Sequence, residues 1–440
     1  MTDAALNAIA GAYIDYALCN TKYDLWDMNW YAEGPFWRRT SMRYSREYKT
    51  IPDYEIGNTK HGKTLEDTRD GTAHLLKSLL VYKETAQPCE MPRVDYLLAH
   101  VFNLNFRTRM LMGERFSYDE VTRGLYGLTA PTYDFAKFDA AVREMGAALP
   151  GPEGDLEKIR HFLDKTRIPK DKLLKVMTEL TKNFHDMTIE RLPETPPYSL
   201  MRTRVKELPE GMVFLSLLFG YDYERVSYER NYNLNYDWTV EKAVECIGHE
   251  CEPGHIYHFL KRTQSFIDTC FPEMSIFPQH CESSAFWEGS ARRSIYMCFD
   301  NSMEKLAEFE RDVVFEAAGL DKGLAGLMPL WHKFIDISNY GKLEASRKVW
   351  DGKWSQTEAA AFLEKYMFVE PGRGMAMVKG FANADAGHFV AHDYARDVVG
   401  DYFERETGGD VPAQWKLYEK LCTSHFSVPG MLDGTFHIDF

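Results

Sequence analysis

The residue types of this 440-residue chain that could bind a metal and move protons are grouped most informatively in Glu245-Cys-Ile-Gly-His249-Glu250-Cys251-Glu252-Pro253-Gly254-His255-Ile-Tyr-His258. In the familiar His-Glu-x-x-His arrangement two histidines four apart lie about 40° apart around a helix, so both reach one metal while the Glu polarises its water. Here the second histidine comes six positions later, which on a straight helix puts it about 120° away, on the wrong face. Pro253 lacks the N–H that would bond back to the His249 carbonyl, and Gly254 can adopt φ > 0. The helix can therefore stop or kink between the histidines and swing His255 back beside His249. Zinc in catalytic sites takes three protein ligands plus a water. Asp268, Glu273, His280, Glu282 and Glu288 follow the motif, and Glu288 ranks first because Gly289-Ser290-Ala291 lets its helix approach another backbone closely. Glu282 ranks second.

The elements that must carry these residues read as mainly α. Apolar residues recur at helical spacing over 64–83, 92–112 and 171–192, and Ser355-Gln-Thr-Glu358 has the form of a capping box. Between 221 and 236, Val226, Tyr228, Tyr232 and Leu234 alternate with polar residues, which predicts one or two short strands just before the metal-binding helix. The apolar stretch 211–220 reads as a buried strand or short helix and is about half the length of a membrane span. Ala148-Leu-Pro-Gly-Pro-Glu-Gly154 is the best linker in the chain. It suggests an N-terminal helical lobe, 1–150, and a motif-bearing helical lobe, 151–440, within one continuous domain.

With 52 Lys+Arg against 66 Asp+Glu the net charge is -14, which argues against nucleic-acid or anionic membrane partners. The N-terminus shows no basic segment followed by an apolar core, and the eight cysteines are scattered without a Cys-x-x-Cys pair. The expectation is a cytoplasmic protein with reduced thiols.

His249-Glu-x-x-Pro-Gly-His255 followed some thirty residues later by Glu288-Gly-Ser-Ala resembles the domain-of-unknown-function 885 family, mainly helical proteins regarded as zinc-dependent peptidases. The polar strand Ser227–Asp237 is similar to the one before the motif in relatives. A weaker likeness covers 370–380, where Arg373 stands in place of a common Gln. The resemblance implies a large helical metallopeptidase-like fold, a metal held by His249, His255 and Glu288, and Glu250 as general base. The metal would be Zn2+, with Fe2+ or Mn2+ ranking below it. The substrate would be a small peptide or an amide-containing metabolite.

Amide hydrolysis also needs a donor for the developing oxyanion, for which Arg373, His388, His392 and Tyr394 are candidates. His388 and His392 sit four apart but lack a following Glu, so core or surface histidines are the favoured reading. His258 is read as a supporting or surface residue, His280 as a loop histidine and Cys251 as packing. The Trp/Tyr-rich stretch 23–54 reads as core, and Arg225 and Arg230 as a solvated strand face. The strand at 225–234 offers an edge for an extended substrate. Two other functions fit the ligands: a non-haem iron enzyme using the same two-His-one-carboxylate triad, and a binding protein with a retained metal site.

Overall fold

The computed structural model describes residues 4–20, 23, 63–193, 199–209, 212–222, 225–269, 271–276, 278–369, 372–380, 387–426 and 428–433. The side chains of 199–201, 216–222, 225–228, 263–264, 266–268, 275 and 380 lie outside the description. The aromatic stretch beyond Tyr23 and the side chains of Arg225 and Asp268 therefore fall outside the described residues.

Helices α1 (Ala4–Asn20), α2 (Leu65–Lys83) and α3 (Met91–Leu111) pack through an apolar cluster that includes Tyr13, Leu79, Val94, Leu97 and Val101. Thr64 starts α2 with a capping box, its hydroxyl accepting from Asp67 N–H while the Asp67 carboxylate accepts from Thr64 N–H. The buried Thr68, Thr72, Leu75, Leu76 and Leu79 then fall on one face.

Next come α4 (Tyr118–Tyr126), α5 (Phe135–Ala148), α6 (Asp155–Lys165) and α7 (Leu173–Arg191). The Pro/Gly linker joins α5 to α6. Their Phe138, Met145, Ile159 and Phe162 belong to the same apolar cluster as the motif-bearing helices.

The small sheet has strands β1 (Ser199–Lys206), β2 (Phe214–Asp222) and β3 (Arg225–Asn233) in the order β1-β3-β2. β3 pairs parallel with β1 and antiparallel with β2. This corrects the expectation of a free edge at 225–234: β3 is the middle strand, and both its ladders are taken. The alternation was misleading because the polar positions of β3 are buried and bonded. Glu229 accepts from Arg204 Nε at 2.6 Å, and Asn233 Nδ2 donates to Met212 O at 2.7 Å. The apolar run before it forms the edge strand β2, with Leu215 exposed.

The rest is helical: α8 (Val240–Glu250), α9 (His255–Thr269), α10 (Glu282–Cys298), α11 (Met303–Phe309), α12 (Met328–Trp350), α13 (Gln356–Tyr366), α14 (Arg373–Gly380), α15 (Ala395–Thr407), α16 (Val411–Cys422) and α17 (Val428–Asp433). Two wide π turns, Glu310–Phe315 and Val390–Tyr394, run into helical residues on both sides. Ser355 caps α13 through the expected capping box. The protein is thus mainly α with one three-stranded sheet. Among the described residues no helix is long and apolar enough to cross a membrane, and no disulfide is formed.

Candidate metal centre

Helix α8 begins at the Thr239 cap, whose hydroxyl accepts from Lys242 N–H, and it ends at Glu250, so His249 and Glu250 occupy its last turn. The chain then doubles back through Cys251-Glu252-Pro253-Gly254 and starts α9 at His255. Gly254 is needed here for space and not for a positive φ, which corrects the role expected from sequence. A Cβ on it would lie 1.9 Å from the His249 carbonyl oxygen, while its own N–H donates to Gly248 O at 3.0 Å. Tyr418 Oη, from α16, donates to Pro253 O at 2.6 Å and pins the turn.

The turn puts the His249 and His255 rings 4.5 Å apart, edge to face. Both Nε2 atoms face Glu288 Oε2, at 3.0 and 3.3 Å. Glu288 comes from α10, and Gly289 beside it has no room for a Cβ, which would meet Ala395 C at 2.5 Å. That is the close backbone approach expected of the small residues after Glu288. The nitrogens of His249 and Glu288 Oε2 are buried without a hydrogen bond of adequate geometry. Buried polar atoms seldom go unsatisfied. Two imidazoles and a carboxylate, with these lone pairs converging, suit a zinc-type cation.

His388 and His392 are not ordinary core or surface residues. The π turn at 390–394 brings His392 Nδ1 to 3.2 Å from Glu288 Oε2, and His388 Nε2 to 3.6 Å from Glu288 Oε1. Glu288, His388 and His392 form a second group whose candidate ligand atoms lie within 4.8 Å of one another, as do those of His249, His255 and Glu288. The four-residue spacing was visible in sequence. Its direction toward Glu288 was not.

Charge follows this crowding. Burial pushes the Glu288 carboxyl up, but the His392 and His255 imidazoles outweigh it and hold it well below the usual range. Burial likewise drives His392 well down, against the pull of Glu288. His258 is fully buried, pushed well down by burial, with Ser290 Oγ 3.0 Å from its Nε2. It supports α9 against α10.

No family model matches this chain. No curated protein matches it either. Among solved structures, one of a "putative lipoprotein" from Colwellia psychrerythraea superposes with a TM-score of 0.50 at 11% identity, covering 84% of this chain and 68% of that one. Another, a "putative lipoprotein of unknown function" from Shewanella oneidensis, gives 0.45 at 15% identity, covering 95% and 81%. The Colwellia protein shares the fold.

Glu250 Oε2 accepts from Arg230 Nη1 at 3.0 Å, and its Oε1 lies 3.9 Å from His249 Nε2. Arg230 is buried, so the solvated strand face expected for it is corrected: alternate positions of β3 turn Arg230 to Glu250 and Tyr232 to Cys251, whose sulfur is 3.7 Å from the phenol oxygen. Burial pushes the Cys251 thiol up, consistent with packing. Glu282 caps the start of α17, its Oε1 accepting from Val428 N–H at 2.5 Å, and Glu273 pairs with Arg93 and His425. Neither belongs to the groups at Glu288. Arg373 makes a long contact, 3.5 Å, to Asn235 O, and the charged neighbours of Tyr394 are Asp397 and Asp401. His280 is a buried residue in the bend before α10.

A cavity of about 240 Å³ opens beside the cluster. His249, Glu250 and His392 form one wall, Phe214, Tyr236, Trp238 and Phe389 supply apolar surface, and Lys342 adds a cation. Arg373 and Tyr394 do not line it.

Proposed function

We propose that the protein is a metal-dependent hydrolase of peptide or amide bonds in small peptides or metabolites, with zinc held by His249, His255 and Glu288 and water activated by Glu250. The observation that carries this reading is the convergence of the two Nε2 atoms on Glu288 Oε2, with His249 and that oxygen otherwise unsatisfied, beside a cavity that Glu250 lines. The resemblance of His249-Glu-x-x-Pro-Gly-His255 and Glu288-Gly-Ser-Ala to the motifs of a family regarded as zinc-dependent peptidases supports it.

When bound, the metal supplies Lewis acidity that brings a water toward neutrality. The chain does the rest. His249 and His255 act as neutral imidazole ligands and Glu288 as the anionic one. Arg230 holds one oxygen of Glu250, which leaves the other on the His249 side to accept the proton of the attacking water and pass it to the leaving amine. The aromatic wall shields one residue-sized group of the substrate from water, and Lys342 favours substrates with a carboxylate at that end.

Elemental analysis of the purified protein tests this together with a panel of dipeptides and acyl amides. Glu250→Gln is expected to keep its metal and lose about 10²-fold or more in kcat, while His249→Ala loses metal. A protein without a stoichiometric transition metal sinks the proposal. Iron-dependent consumption of dioxygen would replace it with an oxidative reading.

A further inference from the structure

Glu288 is the meeting point of four imidazoles, two more than one catalytic zinc needs alongside a carboxylate. Hydrogen bonding to one oxygen does not account for the three nitrogens at Oε2. One carboxylate oxygen offers about two lone-pair directions, yet Oε2 has three ring nitrogens at 3.0–3.3 Å and no bond of adequate geometry to any. The histidines also divide into two sets. His249 and His255 form one compact group with Glu288, His388 and His392 form another, and the two groups share only the carboxylate.

We propose that the centre takes two divalent cations, with His388 and His392 as the ligands of the second and Glu288 shared between both. This rests on the reading of the first group as a metal site. Each position would then have two imidazoles and a carboxylate oxygen, and one histidine of each pair, His249 and His392, lines the cavity. A cation held by His388 and His392 would supply Lewis acidity for the carbonyl oxygen of an amide, the role for which a side-chain donor is otherwise needed.

The local backbone is built for this. A π turn is rare and frequently falls at functional sites; the one at Val390–Tyr394 carries His392, and Arg292 of the Glu288 helix holds the adjoining Asp393. Gln279 Nε2 lies 3.1 Å from His388 Nε2, a contact that His388 would exchange for a cation.

Metal-stripped full-length protein is dialysed to equilibrium against Zn2+, and separately Co2+, and bound metal is counted by atomic emission. Two equivalents per chain are expected. His388→Ala and His392→Ala should each fall to one, and that retained equivalent shows that the variants still fold around the first position. Saturation of the wild type at one equivalent, or two equivalents undiminished in both variants, overturns the second site and leaves the single-metal hydrolase standing. Failure to bind any metal overturns both.

Discussion

Arg230 and Gly254 shape the proposed centre without being candidate ligands of it. Arg230 fixes Glu250 through one oxygen, so Arg230→Gln should leave metal content unchanged and KM nearly so, while kcat falls by up to about a hundredfold, the cost of misplacing a base by an ångström. A large rise in KM with unchanged kcat would assign Arg230 to substrate binding instead. Gly254 is set by a hard contact: the Cβ of an alanine would lie 1.9 Å from the His249 carbonyl oxygen. Gly254→Ala should destabilise the fold by about 2 kcal/mol or more in urea titrations and lower metal affinity with it. Normal affinity in that variant would show that the turn can relax.

At the scale of elements, the proposed ligands come from α8, α9, α10, the π turn and the residues just before it, and Arg292 ties α8, α10 and the π turn together. It projects from α10, donates from Nε to Glu245 of α8 at 2.8 Å, and pairs with Asp393 next to His392. Burial opposes the charge of Glu245, but Arg292 and His249 prevail and bring its carboxyl down to about 2. Arg292→Met leaves Asp393 buried and unpaired, and should cost about 3 kcal/mol in unfolding free energy. Arg292→Lys should recover only part of it, because one ammonium does not reproduce the guanidinium fork. Full recovery by lysine would reduce the contact to simple charge balance.

Over the whole molecule, a buried ion pair far along the chain links stability to pH. His332 of α12 lies 2.9 Å from Glu310 in the first π turn, both buried. Burial pushes the imidazole down, but Glu310 outweighs it and raises His332 to about 9. A histidine raised in the folded state contributes stability that is complete below its unfolded value, about 6.5, and is lost as pH climbs through 9. The urea midpoint should therefore fall between pH 6.5 and 9.5, and His332→Gln should be less stable at pH 6.5 with a flatter profile. Equal slopes for the two proteins would place the pH dependence elsewhere.

What could be read from sequence was local. The helical period, the cap at Ser355, the stop at Pro253-Gly254 and the small residues after Glu288 all depend on neighbours within a turn or two, and the structure agrees with each. The mainly α class follows from them. Alternation along 225–234 identified a strand but not its place in the sheet, because a buried polar residue with a partner looks the same in sequence as an exposed one. The same limit applies to Arg230, to Glu282 and to the pair His388 and His392. Whether each faces solvent, a helix end or Glu288 depends on contacts with residues tens to hundreds of positions away, and only the packing of the folded chain decides those.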